Sequence, residues 1–156
     1  MARISSISGG GSTNPRATVG VFSYGTKGNV IPKVQFDFDV TKFRDPTGQK
    51  QFKGTNGISP DVRDWVGEDE RVWAVIQDCL LLADDLVKPK SQSTGGVKME
   101  VAPVSGWLSF AFHDYHGKWA GPAVAELVAE ALSKAGYVVA TTHYGLKTKS
   151  GEPVVL

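Results

Sequence analysis

Hydrophobic and polar side chains alternate along residues 34–43, VQFDFDVTKF, and this period of two predicts a strand with one buried face. Three further segments predict strands because they are rich in β-branched and aromatic residues. They are ATVGVFSYG (17–25), one or two strands within 97–112, and YVVATTHYG (137–145). The run WLSFAF within the second of these is mostly apolar, which is typical of a central strand covered on both faces.

Helical patterns separate these strands at three places. The first helix is predicted to begin at Ser59 as N-cap with Pro60 in the first position, and to end near Gly67. A longer helix follows from residues 68–70 and ends before Pro89. Its apolar positions recur at helical spacing: Val72, Trp73, Ile76, Cys79, Leu80, Ala83, and Leu86 or Val87. A third helix is predicted over 122–136, with Pro122 at its first position and Gly136 at its end.

The resulting order β, β, α, α, β, α, β predicts an α/β fold. We expect a single three-layer-like domain over 18–146, with a central mixed, partly parallel sheet of four to five strands and three helices. The Gly/Ser-rich segment 1–17 is predicted to be flexible, and 147–156 to be a C-terminal tail. The strand–helix–strand unit from 107 to 144 predicts two parallel neighbouring strands.

Composition excludes several classes of protein. The single cysteine, Cys79, cannot form an intrachain disulfide or a zinc site of paired cysteines. No run of about 18 apolar residues is present, so we expect no membrane association and a cytoplasmic location. A net charge of +1 does not favour a strong nucleic-acid binder. No cofactor is predicted.

The loop HDYHGKWAG (113–121) joins a buried strand to a helix and is the strongest candidate for a site. A helix N-terminus offers unpaired N–H groups to an anion, and Gly residues let the backbone approach a ligand. The loop is not a P-loop, because Gly117-Lys118 is followed by Trp119. The predicted ligand-binding residues are His113, Tyr115, His116, Gly117, Lys118 and Gly121, joined by Ser23, Thr26 and Arg44.

Other constellations lead to weaker hypotheses. Basic side chains of several loops could form one rim with aromatic residues for stacking: Lys27, Lys33, Arg44, Lys50, Lys53 and Lys118, with Tyr24, Phe43 and Tyr115. Asp37 and Asp39 lie on one strand face and could act as an acid–base pair, although a solvated strand face explains them as well. His113 and His116, spaced as His-x-x-His beside Asp114, could ligate a metal, but they lie on a flexible loop with no clear third ligand, so no metal site is predicted.

Several segments of the chain carry motifs of one known domain family. The stretch VFSYGTKGNVIPKVQFDFDV, with an "S-[FY]-G" strand end and an "hFDV" strand, resembles the opening of the C-terminal domain of the RNase adapter protein RapZ. NGISPDVRDWV is similar to "TGLDPEVRDYV", and 107–133 falls on "GCTGG[RK]HRSVxxAExLAxxL", with Gly117-Lys118 and Ala125-Glu126 matching. The resemblance spans about residues 19–144.

This resemblance implies a loop that binds an amino-sugar phosphate and contributes to contacts with small RNA. The chain departs from the pattern where Trp119-Ala120-Gly121 replaces His-Arg-Ser, and where Asp114 or its neighbour replaces a cysteine. The P-loop domain of full-length members is absent from this chain, so no ATPase activity is implied. Short versions of the domain occur in bacteriophages, a setting that a diverged loop would fit.

Three functions are therefore considered. The first is a non-enzymatic module that binds an anion at 113–121, namely a phosphosugar, a nucleotide or an RNA backbone. The second is a protein–protein interaction module that kept the fold and lost the ligand site, with a homo-oligomer left open. The third is a small phosphatase-like hydrolase using His113 or His116 with Asp114.

Overall fold

The computed structural model describes residues 18–86 and 107–156. The strands are β1 (Thr18–Gly25), β2 (Phe36–Asp39), β3 (Trp107–Asp114), β4 (Val138–Lys147) and β5 (Pro153–Val155). The helices are α1 (Pro60–Gly67), α2 (Glu70–Leu86) and α3 (Ala120–Lys134), with a 3-10 turn at Lys50–Phe52. The predicted flexible segment 1–17 and any strand within 97–106 lie outside the described residues.

The five strands form one sheet in the order β2-β3-β1-β4-β5. The first four are parallel to their neighbours, and β5 pairs with β4 in the antiparallel direction. The predicted α/β class, with a mixed, partly parallel sheet and three helices, is confirmed. The prediction that the strands flanking the third helix are neighbours is wrong, because β1 lies between β3 and β4. Its side chains Val19 and Val21 are fully buried, which suits this central position.

Several predicted boundaries differ from the structure. The predicted strand 34–43 is reduced to β2, since the chain turns at Val40. The third helix begins at Ala120, so Pro122 lies inside its first turn, where proline is tolerated because no helical N–H bond is lost. Residues 147–156, predicted as a tail, instead contain β5 at the sheet edge.

The main hydrophobic core lies between the three helices and one face of the sheet. It contains Val62 and Val66 of α1, the apolar stripe of α2 and the buried face of α3. Cys79 lies in the stripe of α2, as its spacing predicts. A smaller cluster on the opposite face joins Phe22, Tyr24, Ala111 and Tyr144. The carboxyl ends of four parallel strands therefore meet at one edge of a rigid sheet, where loops can build a site.

Replacing Asp69 by alanine is expected to lower the free energy of unfolding by about 1–2 kcal/mol, because Asp69 caps α2. Its carboxylate accepts hydrogen bonds from the backbone nitrogens of Arg71 at 2.9 Å and Arg44 at 2.8 Å. The hydrogen bond from the Arg71 side chain chiefly lowers the pKa of Asp69 to about 2.

Because this pKa lies below the unfolded value of about 3.9, the stabilisation is present above about pH 4 and is lost as the pH falls towards 2. Urea unfolding at pH 7 and at about pH 2 measures the difference between wild type and Asp69→Ala. Asp64→Ala, an exposed position of α1, is the control. An equal difference at both pH values would contradict the role of the charged cap.

Candidate functional site

A cavity of about 270 Å³ lies where the loops after β2 and β3 face each other. Its lining residues come from these two loops and from the first turn of α3: Thr41, Asp45, Thr47, Asp114, Tyr115, His116, Trp119 and Ala120. This is the end of the sheet at which open α/β folds bind ligands. The candidate loop predicted from sequence therefore forms one wall of a real cavity.

The carboxylate of Asp114 occupies the position that the sequence predicted for an external anion. Asp114 is 8% exposed, and its oxygens accept hydrogen bonds from the backbone nitrogens of Gly117, of Trp119 at 3.4 Å and of Gly121 at 2.8 Å. These nitrogens belong to the loop and to the first turn of α3, where N–H groups have no partners within the helix. The donors expected to hold a ligand are thus already bonded to a charge of the protein itself.

Three glycines bring the loop into direct backbone contact with the sheet. A Cβ added to Gly117 would overlap the backbone of Gly25 at the end of β1, and one added to Gly145 of β4 would overlap Gly117. The loop therefore lies across the ends of β1 and β4 with no side chain between them. Gly117 also has a φ of +74°, which side-chain-bearing residues rarely adopt. The Gly117 backbone positions the N–H group that donates a hydrogen bond to Asp114, and it also positions the neighbouring residue His116.

The structure brings part of the predicted site together. Tyr115 and His116 line the cavity and make an edge-on ring contact with centroids 4.7 Å apart. Lys118 is exposed beside them, while Gly117 and Gly121 face Asp114. The backbone nitrogen of Thr26 donates to the carbonyl oxygen of Asp114 at 3.0 Å, so the loop after β1 supports this wall.

The other predicted residues lie elsewhere. The Arg44 guanidinium is 4.0 Å from the ring centroid of Trp65 and forms an ion pair with Glu68 at 2.5 Å. Ser23 is fully buried beneath α3. Of the three aromatic residues predicted for stacking, Tyr24 is 3% exposed and Phe43 packs against the core, whereas Tyr115 is 55% exposed. None of the predicted basic residues lines the cavity, although the Lys27 ammonium lies 5.7 Å from the ring centroid of Tyr115, which does.

Asp45 is a cavity residue that the sequence analysis missed. Its Oδ1 accepts hydrogen bonds from the backbone nitrogen of Thr47 at 2.9 Å and from its hydroxyl at 2.5 Å. Asp39 holds Thr41 in the same way, at 2.9 and 2.5 Å. The signal was present as two Asp-x-Thr sequences in succession, a pattern that favours side-chain-stabilised turns. The loop was interpreted only for its basic residues.

His113 points away from the cavity, to the opposite face of the sheet. Its Nδ1 lies 2.9 Å from Asp37 Oδ1, and its Nε2 lies 3.7 Å from Asp39 Oδ1. Tyr24 donates its hydroxyl to Asp37 at 2.5 Å, and burial, followed by this bond, raises the pKa of Tyr24. The hydrogen bonds from Thr41 lower the pKa of Asp39. The two aspartates share one strand face, as predicted, and there they enclose an imidazole.

Two groups of the predicted hydrolase are engaged in contacts within the protein. Asp114 accepts backbone hydrogen bonds, and His113 is paired with Asp37. Within residues 18–86 and 107–156, no three His, Cys, Asp or Glu side chains are grouped so that they could hold a metal ion. The cavity thus offers hydroxyl, carboxylate, imidazole and indole groups to a ligand.

None of the helices in the described part of the chain has the length and apolar character needed to cross a membrane.

Comparisons with known proteins agree with the resemblance found in the sequence. No curated protein matches the chain significantly. The family model of the RapZ C-terminal domain matches residues 17–147, which include every strand of the parallel sheet and both walls of the cavity. The chain therefore belongs to the RapZ C-terminal domain family.

Proposed function

We propose that this chain is a non-enzymatic binding module whose ligand is a sugar or a sugar phosphate, held in the cavity between the loops 41–47 and 114–120. One observation carries the proposal: the cavity lies at the carboxyl ends of β2 and β3 and has a lining suited to a sugar. Membership of a family of binding and adapter domains supports a role in binding rather than in catalysis.

The lining supports a polyhydroxylated ligand. Asp45 and the hydroxyl groups of Thr41 and Thr47 can accept or donate hydrogen bonds to sugar hydroxyls, and Trp119 and Tyr115 offer apolar ring surfaces. Asp45 uses Oδ1 for the turn, which leaves Oδ2 for a hydroxyl or an ammonium group. An amino sugar combines both groups, and it is the class that the family resemblance implies.

The phosphate of such a ligand is expected to contribute less than the sugar ring. Asp114 occupies the backbone N–H groups, and Asp45 adds a second negative charge to the lining. The lining contains no lysine or arginine, and the Lys27 ammonium lies 5.7 Å from the ring centroid of the lining residue Tyr115. A ligand recognised by phosphate alone, such as a nucleotide phosphate or an RNA backbone, would therefore find little positive charge in the lining itself.

The test compares glucosamine, glucosamine 6-phosphate and inorganic phosphate by calorimetry, on wild type, Asp45→Ala and the exposed control Asp64→Ala. We expect both sugars to bind with dissociation constants within about tenfold of each other, and phosphate alone not to bind. Asp45→Ala should weaken both sugars by about tenfold, the loss of a hydrogen bond to a charged group. Asp64→Ala should change nothing.

Two outcomes would overturn the proposal. Binding of inorganic phosphate as tight as that of glucosamine 6-phosphate would make the loop an anion site, as first predicted from sequence. Absence of binding for all three probes would leave the cavity without a sugar ligand.

A second candidate, a protein-interaction module, is favoured by one other observation. A groove of about 220 Å³ between α2 and α3 is lined mainly by apolar groups, and Trp73 at its edge is 61% exposed. Exposed tryptophans of this kind are frequent at protein interfaces. Sedimentation of wild type and Trp73→Ser distinguishes self-association through this groove from a monomeric state.

A further inference from the structure

Three side chains that are distant in sequence form a continuous hydrogen-bonded array beneath the loop. Ser23 Oγ of β1 lies 2.6 Å from His143 Nδ1 of β4, and His143 Nε2 lies 2.7 Å from Glu126 Oε2 of α3. Ser23 and His143 face each other in register across the two strands and are fully buried. The Glu126 side chain is 15% exposed. His143 and Glu126 are not among the ligand-binding residues predicted from the sequence.

The protons of the array follow from its acceptors. A carboxylate at Glu126 can only accept, so His143 Nε2 carries a hydrogen and donates it. In the neutral imidazole, Nδ1 is then an acceptor, and the Ser23 hydroxyl donates to it. All three groups are satisfied. Because Ser23 is fully buried and does not line the cavity, the array does not present a nucleophile to a ligand.

The array connects the three elements that carry the cavity wall. Glu126 lies two helical turns after Trp119, and therefore on the same side of α3. Trp119 and Ala120, at the start of that helix, line the cavity. Ser23 and His143 lie just before Gly25 and Gly145, whose backbones support the loop. The array thus anchors α3 to the same strand ends on which the loop rests.

We propose that Glu126, His143 and Ser23 are positioning residues that set α3 against β1 and β4, and so fix Trp119 in the wall of the ligand cavity. The inference about affinity rests on the proposed function, whereas the position of Trp119 does not. Asp114 holds the first turn of α3 through the backbone of Trp119 and Gly121, and Glu126 adds a second directional contact two turns further on. Without Glu126, hydrophobic contacts hold that part of the helix, and they define its rotation less sharply than a hydrogen bond does.

The experiment uses Glu126→Ala, Glu126→Gln and the matched control Glu130→Ala, one turn further along α3, where the carboxylate is 52% exposed and lies 3.8 Å from Lys134. Imidazole and indole 15N–1H spectra of the free protein are recorded, followed by glucosamine binding. We expect a hydrogen-bonded His143 Nε2–H resonance in wild type, and a shifted Trp119 indole resonance in Glu126→Ala only. Glucosamine should bind about tenfold more weakly to that variant.

Glu126→Gln keeps an oxygen acceptor and should restore most of both signals, which a loss of stability alone would not explain. An unchanged Trp119 resonance in a folded Glu126→Ala variant would overturn the positioning role, whether or not a sugar binds. If Glu126→Ala does not fold, Ser23→Ala, which removes the other partner of His143, gives the readout, and an unshifted Trp119 resonance in that variant would overturn the proposal. Failure of wild type to bind glucosamine overturns the proposed function, while the spectra still decide the array.

Discussion

Asp114→Ala is expected to lower the free energy of unfolding by about 3 kcal/mol, because three backbone N–H groups lose their charged acceptor. Two of the three donors, on Gly117 and Gly121, belong to buried residues that solvent reaches poorly. For a domain of this size the melting temperature should fall by roughly 10 °C. Calorimetric melting at neutral pH measures the loss, and Asp64→Ala, an exposed position on α1, is the control.

The same variant tests whether the loop is a concealed anion site. With the carboxylate removed, the N–H groups at the positive end of α3 are free to donate hydrogen bonds to a small anion. Formate has the size of the deleted group and should raise the melting temperature of Asp114→Ala by several degrees at concentrations well above its dissociation constant. Wild type should not respond. A lack of rescue by formate, relative to chloride at equal ionic strength, would show that these donors do not form an anion site.

The carboxylate of Asp114 explains why the sequence pattern located this strand–loop–helix junction without identifying what its N–H groups bind. The buried strand, the glycines and the helix start are local features, and they located the strand–loop–helix junction at 107–133. That Asp114 turns inward to the backbone of its own loop depends on how 115–121 fold back. Side-chain direction at a strand end is a tertiary property, which residue type does not determine.

The types of most helices and strands were predictable because they depend on local patterns along the chain. Period-two and helical patterns are set by which face is buried, and they identified β2 and the three helices, while β-branched and aromatic content identified β1 and β4. The strand order was not predictable from adjacency along the chain, since β1 inserts between β3 and β4. The strand β5 forms a local hairpin with β4, but its three residues are too few to show a period-two pattern. The Ser23–His143 pair was not predictable because it joins residues 120 positions apart.

Gly117→Ala is expected to have the largest effect of any single substitution in the described loops, a loss of more than about 4 kcal/mol that leaves the protein unfolded or without its cavity. Two costs combine at this position. The φ of +74° is unfavourable for alanine by about 1 kcal/mol. The added methyl group would also overlap the backbone of Gly25, where neither strand nor loop can move without breaking sheet or cap hydrogen bonds.

Gly28→Ala separates these two costs. Gly28 has a similar φ of +79°, but a Cβ there would meet no atom within 4 Å, so this variant should lose only about 1 kcal/mol. Gly145→Ala supplies the converse case, because its added Cβ would overlap Gly117 without a positive φ. Circular dichroism melting of all three variants ranks the contributions. If Gly117→Ala were no less stable than Gly28→Ala, the loop would not rest on the strand ends, and the cavity wall would need another support.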